Sequence, residues 1–239
     1  MWDNAPLLRN IANVLLFFSV LAALYGTAYY LAHLPGLFPL QSVRLNSVPL
    51  RVEAQNVLQV VRREVQGNFF TVDVERLRQS LEKLSWVRSV SIRREFPHGL
   101  AVQLEEHQAL ARWNNSALVN RQGEVFVAEN AGDALPVFIG QAGDSVEVTQ
   151  RYVQFNQLLS SLNLQITQLS LSPRHAWQLR LNDGMVLELG REEVLQRLAR
   201  FVAVRKIDDR STMKYVDLRY RNGFAVRQSA EDKKPKIES

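Results

Sequence analysis

The chain has 239 residues, 46% of them hydrophobic and 22% charged, with 11 Gly and 8 Pro. That composition is globular and excludes a collagenous or wholly disordered protein. The net charge of +5 is not evenly spread: residues 1–194 carry 17 basic and 18 acidic groups, residues 195–227 carry 9 and 3, and residues 228–239 carry 3 and 3. The excess is a local patch near the C-terminus, not a global nucleic-acid footprint. The absence of Cys removes disulfides, thiolate metal sites and Cys nucleophiles together.

From Asn10 to Val43 there is no Asp, Glu, Lys or Arg. Within this stretch Ile11–Leu31 is 21 mostly apolar residues, about 30 Å of helix, the thickness of a hydrocarbon core. Trp2 on one flank and Tyr25, Tyr29 and Tyr30 on the other suit the two interfaces, and Pro35-Gly36 breaks the helix. A cleaved signal peptide would have a shorter apolar region behind a more basic start, although Gly26-Thr27-Ala28 is a small-x-small cleavage candidate. A buried soluble helix is the other alternative. The length and the weak cleavage signal predict an uncleaved anchor, residues 11–32, behind a cytoplasmic head of residues 1–10. Arg9 and the amino terminus before the span nearly balance Arg44 and Arg51 after it, so charge leaves the orientation open.

Ser42–Leu50 alternates and predicts a strand. Glu53–Val65 and Asp73–Leu84 have helical apolar faces, with Gly67-Asn68 closing the first. Val87–Ile92 and Leu100–Glu105 predict strands on either side of a Pro97-His98-Gly99 turn. The order is β-α-α-β-β, enough for a small domain with one core. After Gln108 the pattern becomes short strands divided by turn residues: Ala109–Trp113, Ala117–Asn120 and Val125–Ala128, with Asn114-Asn115 as the first turn. A helix over Gln150–Leu162 precedes strands Ile166–Leu171, Trp177–Leu181 and Met185–Leu189. A helix over Glu192–Ile207 has an acidic start and a basic end. A final hairpin, Lys214–Tyr220 and Phe224–Arg227, turns about Asn222-Gly223, where positive φ is easily adopted. Gln228–Ser239 reads as a disordered tail. The fold class is therefore α+β: a transmembrane helix, a β-α-α-β-β domain over 40–108, and a mostly antiparallel β domain with two helices over 109–227.

No motif carries catalysis. The four His do not pair at helical spacing, and nucleophile-elbow, phosphate-loop and dinucleotide fingerprints are all missing. Glu105-Glu106 point to opposite strand faces, the wrong geometry for an acid/base pair. Asp208-Asp209 read as local charge balance, and Arg62-Arg63 and Arg93-Arg94 as solvated faces or anion clamps. Arg197, Arg200, Arg205 and Lys206 form a basic helix end that could attract anionic lipid or nucleic acid, without the interleaved aromatics of a nucleic-acid surface. No cofactor, metal or small-molecule substrate is expected.

The run Trp86-Val87-Arg88-Ser89-Val90-Ser91-Ile92-Arg93-Arg94-Glu95-Phe96-Pro97 resembles the segment that closes the POTRA domain of the FtsQ/DivIB cell-division family. Ala111-Arg112-Trp113, Leu118-Val119-Asn120 and Gly123-Glu124-Val125-Phe126 resemble the family's next segment. Gly190-Arg191, Arg197–Phe201 and Tyr215–Tyr220 with Gly223 are similar to its C-terminal part. The resemblance covers nearly the whole chain. It implies an essential divisome scaffold without enzymatic activity: a single-pass inner-membrane protein of a Gram-negative bacterium, with its bulk in the periplasm and localised to the septum. Implied partners are FtsB and FtsL, with an FtsK-like protein for recruitment. Two departures from the family are a shorter head and Phe224 where a small residue is frequent.

The residues agree in kind. A last strand followed by a free tail is expected to be a sheet edge, which can accept a partner strand. The expected partner surface is Tyr220, Asn222, Gly223, Phe224, Ala225 and Val226, with Tyr220 and Phe224 giving apolar contact and the basic groups from Arg191 to Arg221 favouring an acidic partner. Ser89, Ser91 and Arg93, on the strand face opposite Trp86 and Val90, are the expected recruitment face of the POTRA-like domain. The alternatives are a membrane-tethered periplasmic enzyme, or a POTRA module of an outer-membrane secretion or assembly machine. The latter would need a many-stranded barrel, and only about 120 residues follow the module.

Overall fold

The computed structural model describes residues 5–34, 36–47, 49–129, 131–132, 134–207, 213–220 and 223–228. They form two compact units divided between Glu106 and His107.

The first unit opens with α1, Ala5–His33, whose stretch from Pro6 is long and apolar enough to cross a membrane and is nowhere buried. The helix starts before the expected Ile11 because Ala5–Asn10 has no helix breaker except Pro6, which is tolerated in a first turn. Then follow β1 (Ser42–Leu45), α2 (Ala54–Glu64), α3 (Val74–Glu82), β2 (Val87–Glu95) and β3 (Gly99–Glu106). The strands lie in the order β1-β3-β2, with β1 parallel and β2 antiparallel to β3. Val57 and Val61 on α2 and Leu77 and Leu81 on α3 are i,i+4 pairs, and all four are buried. Leu100, Val102 and Leu104 are buried at alternate positions of β3. Asp73 caps α3, its Oδ1 accepting from Arg76 N at 2.9 Å. On the same helix Arg78 bridges Glu75 and Glu82 at 2.5 and 2.7 Å. The hydrogen bonds from Arg78, and then from Gln79, hold the Glu75 carboxyl down at about 2.

Strand β1 is shorter than the expected Ser42–Leu50. Asn46 N makes a last bond to Val102 O, and the backbone N–H groups of Leu50, Arg51 and Val52 then turn to the Glu106 carboxylate at 3.1, 2.9 and 2.8 Å. A carboxylate that satisfies three donors ends the strand by competing with the ladder.

The second unit contains β4 (Ala109–Trp113), β5 (Ala117–Asn120), β6 (Val125–Phe126), β7 (Val137–Ile139), α4 (Ser145–Leu159), a short 3₁₀ turn, β8 (Ile166–Leu171), β9 (Trp177–Leu181), β10 (Val186–Gly190), α5 (Val194–Ile207), β11 (Met213–Asp217) and β12 (Ala225–Gln228). Among the described residues these nine strands join one sheet, in the order β12-β11-β10-β9-β8-β7-β4-β5-β6. Five neighbouring pairs are antiparallel, while β4–β7, β7–β8 and β10–β11 are parallel. The sheet is therefore mixed. Strand β7 has no counterpart in the sequence reading, because three residues cannot display alternation. Asn114 and Asn115 do take positive φ, 48° and 61°, at the expected turn.

Helix α4 covers β8, and α5 lies against α4 and β10. Phe138, Phe155, Leu169, Leu179, Leu187, Leu198 and Phe201 are fully buried between the sheet and these helices. Phe155 stands edge-on to Trp177 at 5.7 Å. Glu192 and Glu193 precede α5, since Glu193 has φ +52°; Arg197 N nonetheless bonds Glu193 O. The Asp208-Asp209 loop, Asn222 and residues 229–239 of the expected tail lie outside the described residues. Gln228, assigned to that tail, instead pairs with Met213 in the sheet.

Phe155→Ala is expected to cost about 3–5 kcal/mol of unfolding free energy, since it leaves a cavity in a close-packed core. Val153→Ala, on the exposed side of the same helix, is expected to change it by no more than about 0.5 kcal/mol. Denaturant melts of the two variants measure the difference.

Candidate partner-binding surface

The last strand, β12, stands at the end of the sheet order, with no further strand beside it among the described residues. It pairs with β11 through Met213↔Gln228, Tyr215↔Arg227, Val216↔Val226 and Asp217↔Ala225. Ala225, Val226 and Arg227 are all exposed, Val226 at 39%. The register corrects the expected two-residue turn. Between the paired Asp217 and Ala225 lie seven residues, 218–224, too many for a tight hairpin about Asn222-Gly223. Strand β11 ends at Asp217, not Tyr220: Leu218 N makes a last parallel-ladder bond to Glu188 O at 2.8 Å, and the next backbone N–H, of Arg219, turns to the Asp217 carboxylate at 3.0 Å.

Two expected contact residues differ in environment. Tyr220 lies outside the ladder and is 58% exposed, so its ring is available to a partner. Phe224 is not: it is partly buried against the core, edge-on to Phe201 at 6.5 Å. An aromatic ring just before an edge strand gains more by filling the gap over α5 than by facing water. Around Gly223 a Cβ would meet open space.

Behind this edge lies a polar cluster that pattern reading does not reveal. Arg197, expected on a solvated basic face, is buried and donates from Nη1 to Leu189 O at 2.7 Å. The next residue, Gly190, has φ +76°, and a Cβ there would lie 2.9 Å from Arg197 Nη1 and 3.1 Å from Arg219 Cγ. Positive φ and close approach each favour glycine. Arg219 grips Asp217 at 2.9 and 2.6 Å through Nε and Nη2, and its backbone N donates to Asp217 Oδ1 at 3.0 Å. These bonds hold the Asp217 carboxyl below the usual carboxylate range, with Arg197 adding to the effect. Burial, with the nearby charges of Glu188 and Asp217, pushes the Tyr215 phenol up, and Arg227 lies 5.7 Å over its ring. The available signal was the i,i+2 spacing of Asp217 and Arg219, which is not distinctive by itself.

In the first unit, Ser89, Ser91 and Arg93 pair with Glu105, Gln103 and Ala101 across β2 and β3, at alternate positions of β2. Ser91 and Arg93 are exposed. Ser89 is half-buried, its Oγ donating to Glu105 Oε2 at 2.9 Å beside the Arg88–Glu105 ion pair. Trp86 and Val90 are buried in the core. Glu105 and Glu106 thus have separate structural contacts. A cleft of about 590 Å³ in the second unit lies between Pro136, Tyr152, Asn156 and Thr167, and its described lining offers hydroxyl and amide groups but no carboxylate or imidazole.

Residues 38–107 match the family model for the POTRA domain, FtsQ-type, and residues 111–219 match that for cell division protein FtsQ/DivIB, C-terminal. A protein described as cell division protein FtsQ from Nitrosospira multiformis is 44% identical over 237 residues, 95% of this chain and 99% of that protein. The chain belongs to the FtsQ family of cell-division proteins. Proteins of the same description from Burkholderia pseudomallei and Escherichia coli are 37% and 34% identical, over 95% and 67% of this chain and 94% and 62% of theirs. The C-terminal FtsQ/DivIB match ends at Arg219, within the Asp217–Arg219 clamp, and the open strand follows it.

Asp217→Asn tests the clamp. A carboxyl held low in the folded chain contributes stability that is present above its unfolded value of about 3.9 and is lost as pH falls through the lower folded value. The stability gap between wild type and variant should therefore be full at pH 7 and narrow below about pH 4. Denaturant melts across that range check it; a gap unchanged at the acid end would contradict the clamp.

Proposed function

We propose that this FtsQ-family chain is a single-pass inner-membrane scaffold of the division septum, with its bulk in the periplasm. It works by protein–protein contact, without a reaction of its own, and links early septal-ring proteins to a later FtsB–FtsL complex. The observation that carries the reading is the edge of β12, open among the described residues. An unpaired strand presents its outward N–H and C=O groups as a template, and a partner strand completes the ladder there. Val226 and Tyr220 offer apolar contact beside those groups, and the basic excess of residues 195–227 favours an acidic partner segment.

The POTRA-type domain is assigned the recruitment role, through Ser91 and Arg93 on the exposed face of β2 with Ser89 at its rim. An FtsK-like upstream protein is the partner this face would meet. A Ser91/Arg93 double variant is expected to reach midcell less efficiently while keeping the melting behaviour of the wild type.

The strand-addition part is tested by titrating the full chain, held in lipid nanodiscs, with an FtsB segment. Tyr220→Ala is expected to weaken binding by about 2 kcal/mol, roughly thirty-fold. Pro placed singly at Ala225 and at Val226 separates the two sides of the strand, because successive N–H groups point alternately to β11 and outward. The variant that removes the outward donor should lose partner affinity and keep its fold. Undiminished affinity in Tyr220→Ala and in both folded Pro variants would refute strand addition.

A further inference from the structure

The far end of α1 is fastened to the POTRA-type domain by one side chain. Asn68 is fully buried, and its Nδ2 donates to Ala32 O at 2.7 Å and to Leu34 O at 3.0 Å. Its Oδ1 accepts from Phe70 N, Thr71 N and Thr71 Oγ1 at 2.9, 3.0 and 3.0 Å. The same amide therefore satisfies carbonyls at the end of the helix and shapes the loop between α2 and α3. Phe69 N donates to Phe38 O at 3.0 Å and Pro39 bridges to Asn68, so the segment leaving the helix is tied to that loop as well.

This fastening gathers four Phe rings. Phe38 lies 5.2 Å from Phe70 and 6.4 Å from Phe96, and Phe69 lies 5.2 Å from Phe70 and 5.9 Å from Phe96. Phe69 is buried beneath, but Phe96, Phe70 and Phe38 are 72%, 46% and 36% exposed. A cluster of large apolar side chains on a water-facing domain marks a surface that something covers. What covers it follows from position. Phe70 is two residues from Asn68, at most about 7 Å of backbone, and Asn68 touches the end of the span. The headgroup layer adds about 5–8 Å beyond each side of the hydrocarbon core. The charge-free stretch also continues past the helix, through Leu34, Leu37 and Phe38 to Val43. Arg94, whose Nη2 donates to Val72 O at 2.9 Å, places a cation beside the same loop, where anionic lipid would favour it.

We infer that Phe38, Phe70 and Phe96 rest in the lipid headgroup layer of the bilayer that α1 crosses, so that the POTRA-type domain sits on the membrane by this corner. Asn68 sets the angle between domain and anchor. The inference rests on α1 spanning a bilayer, and the test reads that separately.

Because the chain has no Cys, a single introduced Cys carries the only label. Leu21→Cys, Phe70→Cys and Phe96→Cys variants of the full chain, each bearing an environment-sensitive fluorophore, are placed in phosphatidylethanolamine–phosphatidylglycerol vesicles. Quenching is read with lipids spin-labelled in the acyl chain or at the headgroup, and with aqueous iodide. The label at residue 21 should be quenched from the acyl chains. Labels at 70 and 96 should be quenched from the headgroup, with iodide quenching at least three-fold weaker than for the free fluorophore conjugate. Labels at 70 and 96 open to iodide and untouched by spin-labelled lipid would overturn the inference while leaving the span intact. Labels shielded from both quenchers would overturn it in favour of a protein cover. A label at residue 21 beyond the reach of acyl-chain quenchers would remove the span itself.

Discussion

The parallel pairing of β10 with β11 is the constraint on which the outer end of the sheet depends. Val186, Leu187 and Glu188 lie beside Tyr215, Val216 and Asp217, and parallel neighbours cannot be joined by a tight turn. The chain must cross from one end of β10 to the other before it pairs again, and α5 makes that crossing. The crossing helix then returns a cation: Arg197 reaches Leu189 O, and Gly190 gives it room. Asp217 closes the arrangement by taking Arg219. Only after this is β12 laid down antiparallel on β11, with its other side left open among the described residues. The open edge is thus the consequence of a crossover and its polar lock.

The two units solve different problems with similar means. Each uses a carboxylate to end regular pairing, Glu106 taking three backbone donors beyond β1 and Asp217 taking Arg219 beyond β11. Each also leaves aromatic rings exposed, the Phe cluster next to the end of α1 and Tyr220 next to β12. Exposed rings cost solvation, and they sit where a cover is expected: a membrane in one case, a partner strand in the other.

Much of the fold was legible because its elements are periodic. The i,i+4 pairs Val57/Val61 and Leu77/Leu81 and the alternation of Leu100, Val102 and Leu104 identify their own faces. Strand β7 escaped because Val137–Ile139 is too short to alternate and is defined by neighbours on both sides, β4 and β8. The end of β11 escapes for another reason: Tyr215–Tyr220 continues to look like a strand, and only the turn of Arg219 N to the Asp217 carboxylate takes it out of the ladder. At the site, exposure of Tyr220 and Val226 agrees with an edge, whereas Phe224 and Arg197, surface groups by local pattern, are drawn inward by contacts that no local pattern encodes. A buried arginine is visible only once the carbonyl it satisfies is in place.

Amide hydrogen exchange of the full chain in nanodiscs, with and without an FtsB segment, tests the central claim most directly. If a partner strand completes the sheet, the outward amides of residues 225–228 exchange freely in the lone protein and become protected on binding, while β8 and β9 stay protected throughout. Binding that leaves residues 225–228 exchanging at their free rate, with new protection elsewhere, would contradict it.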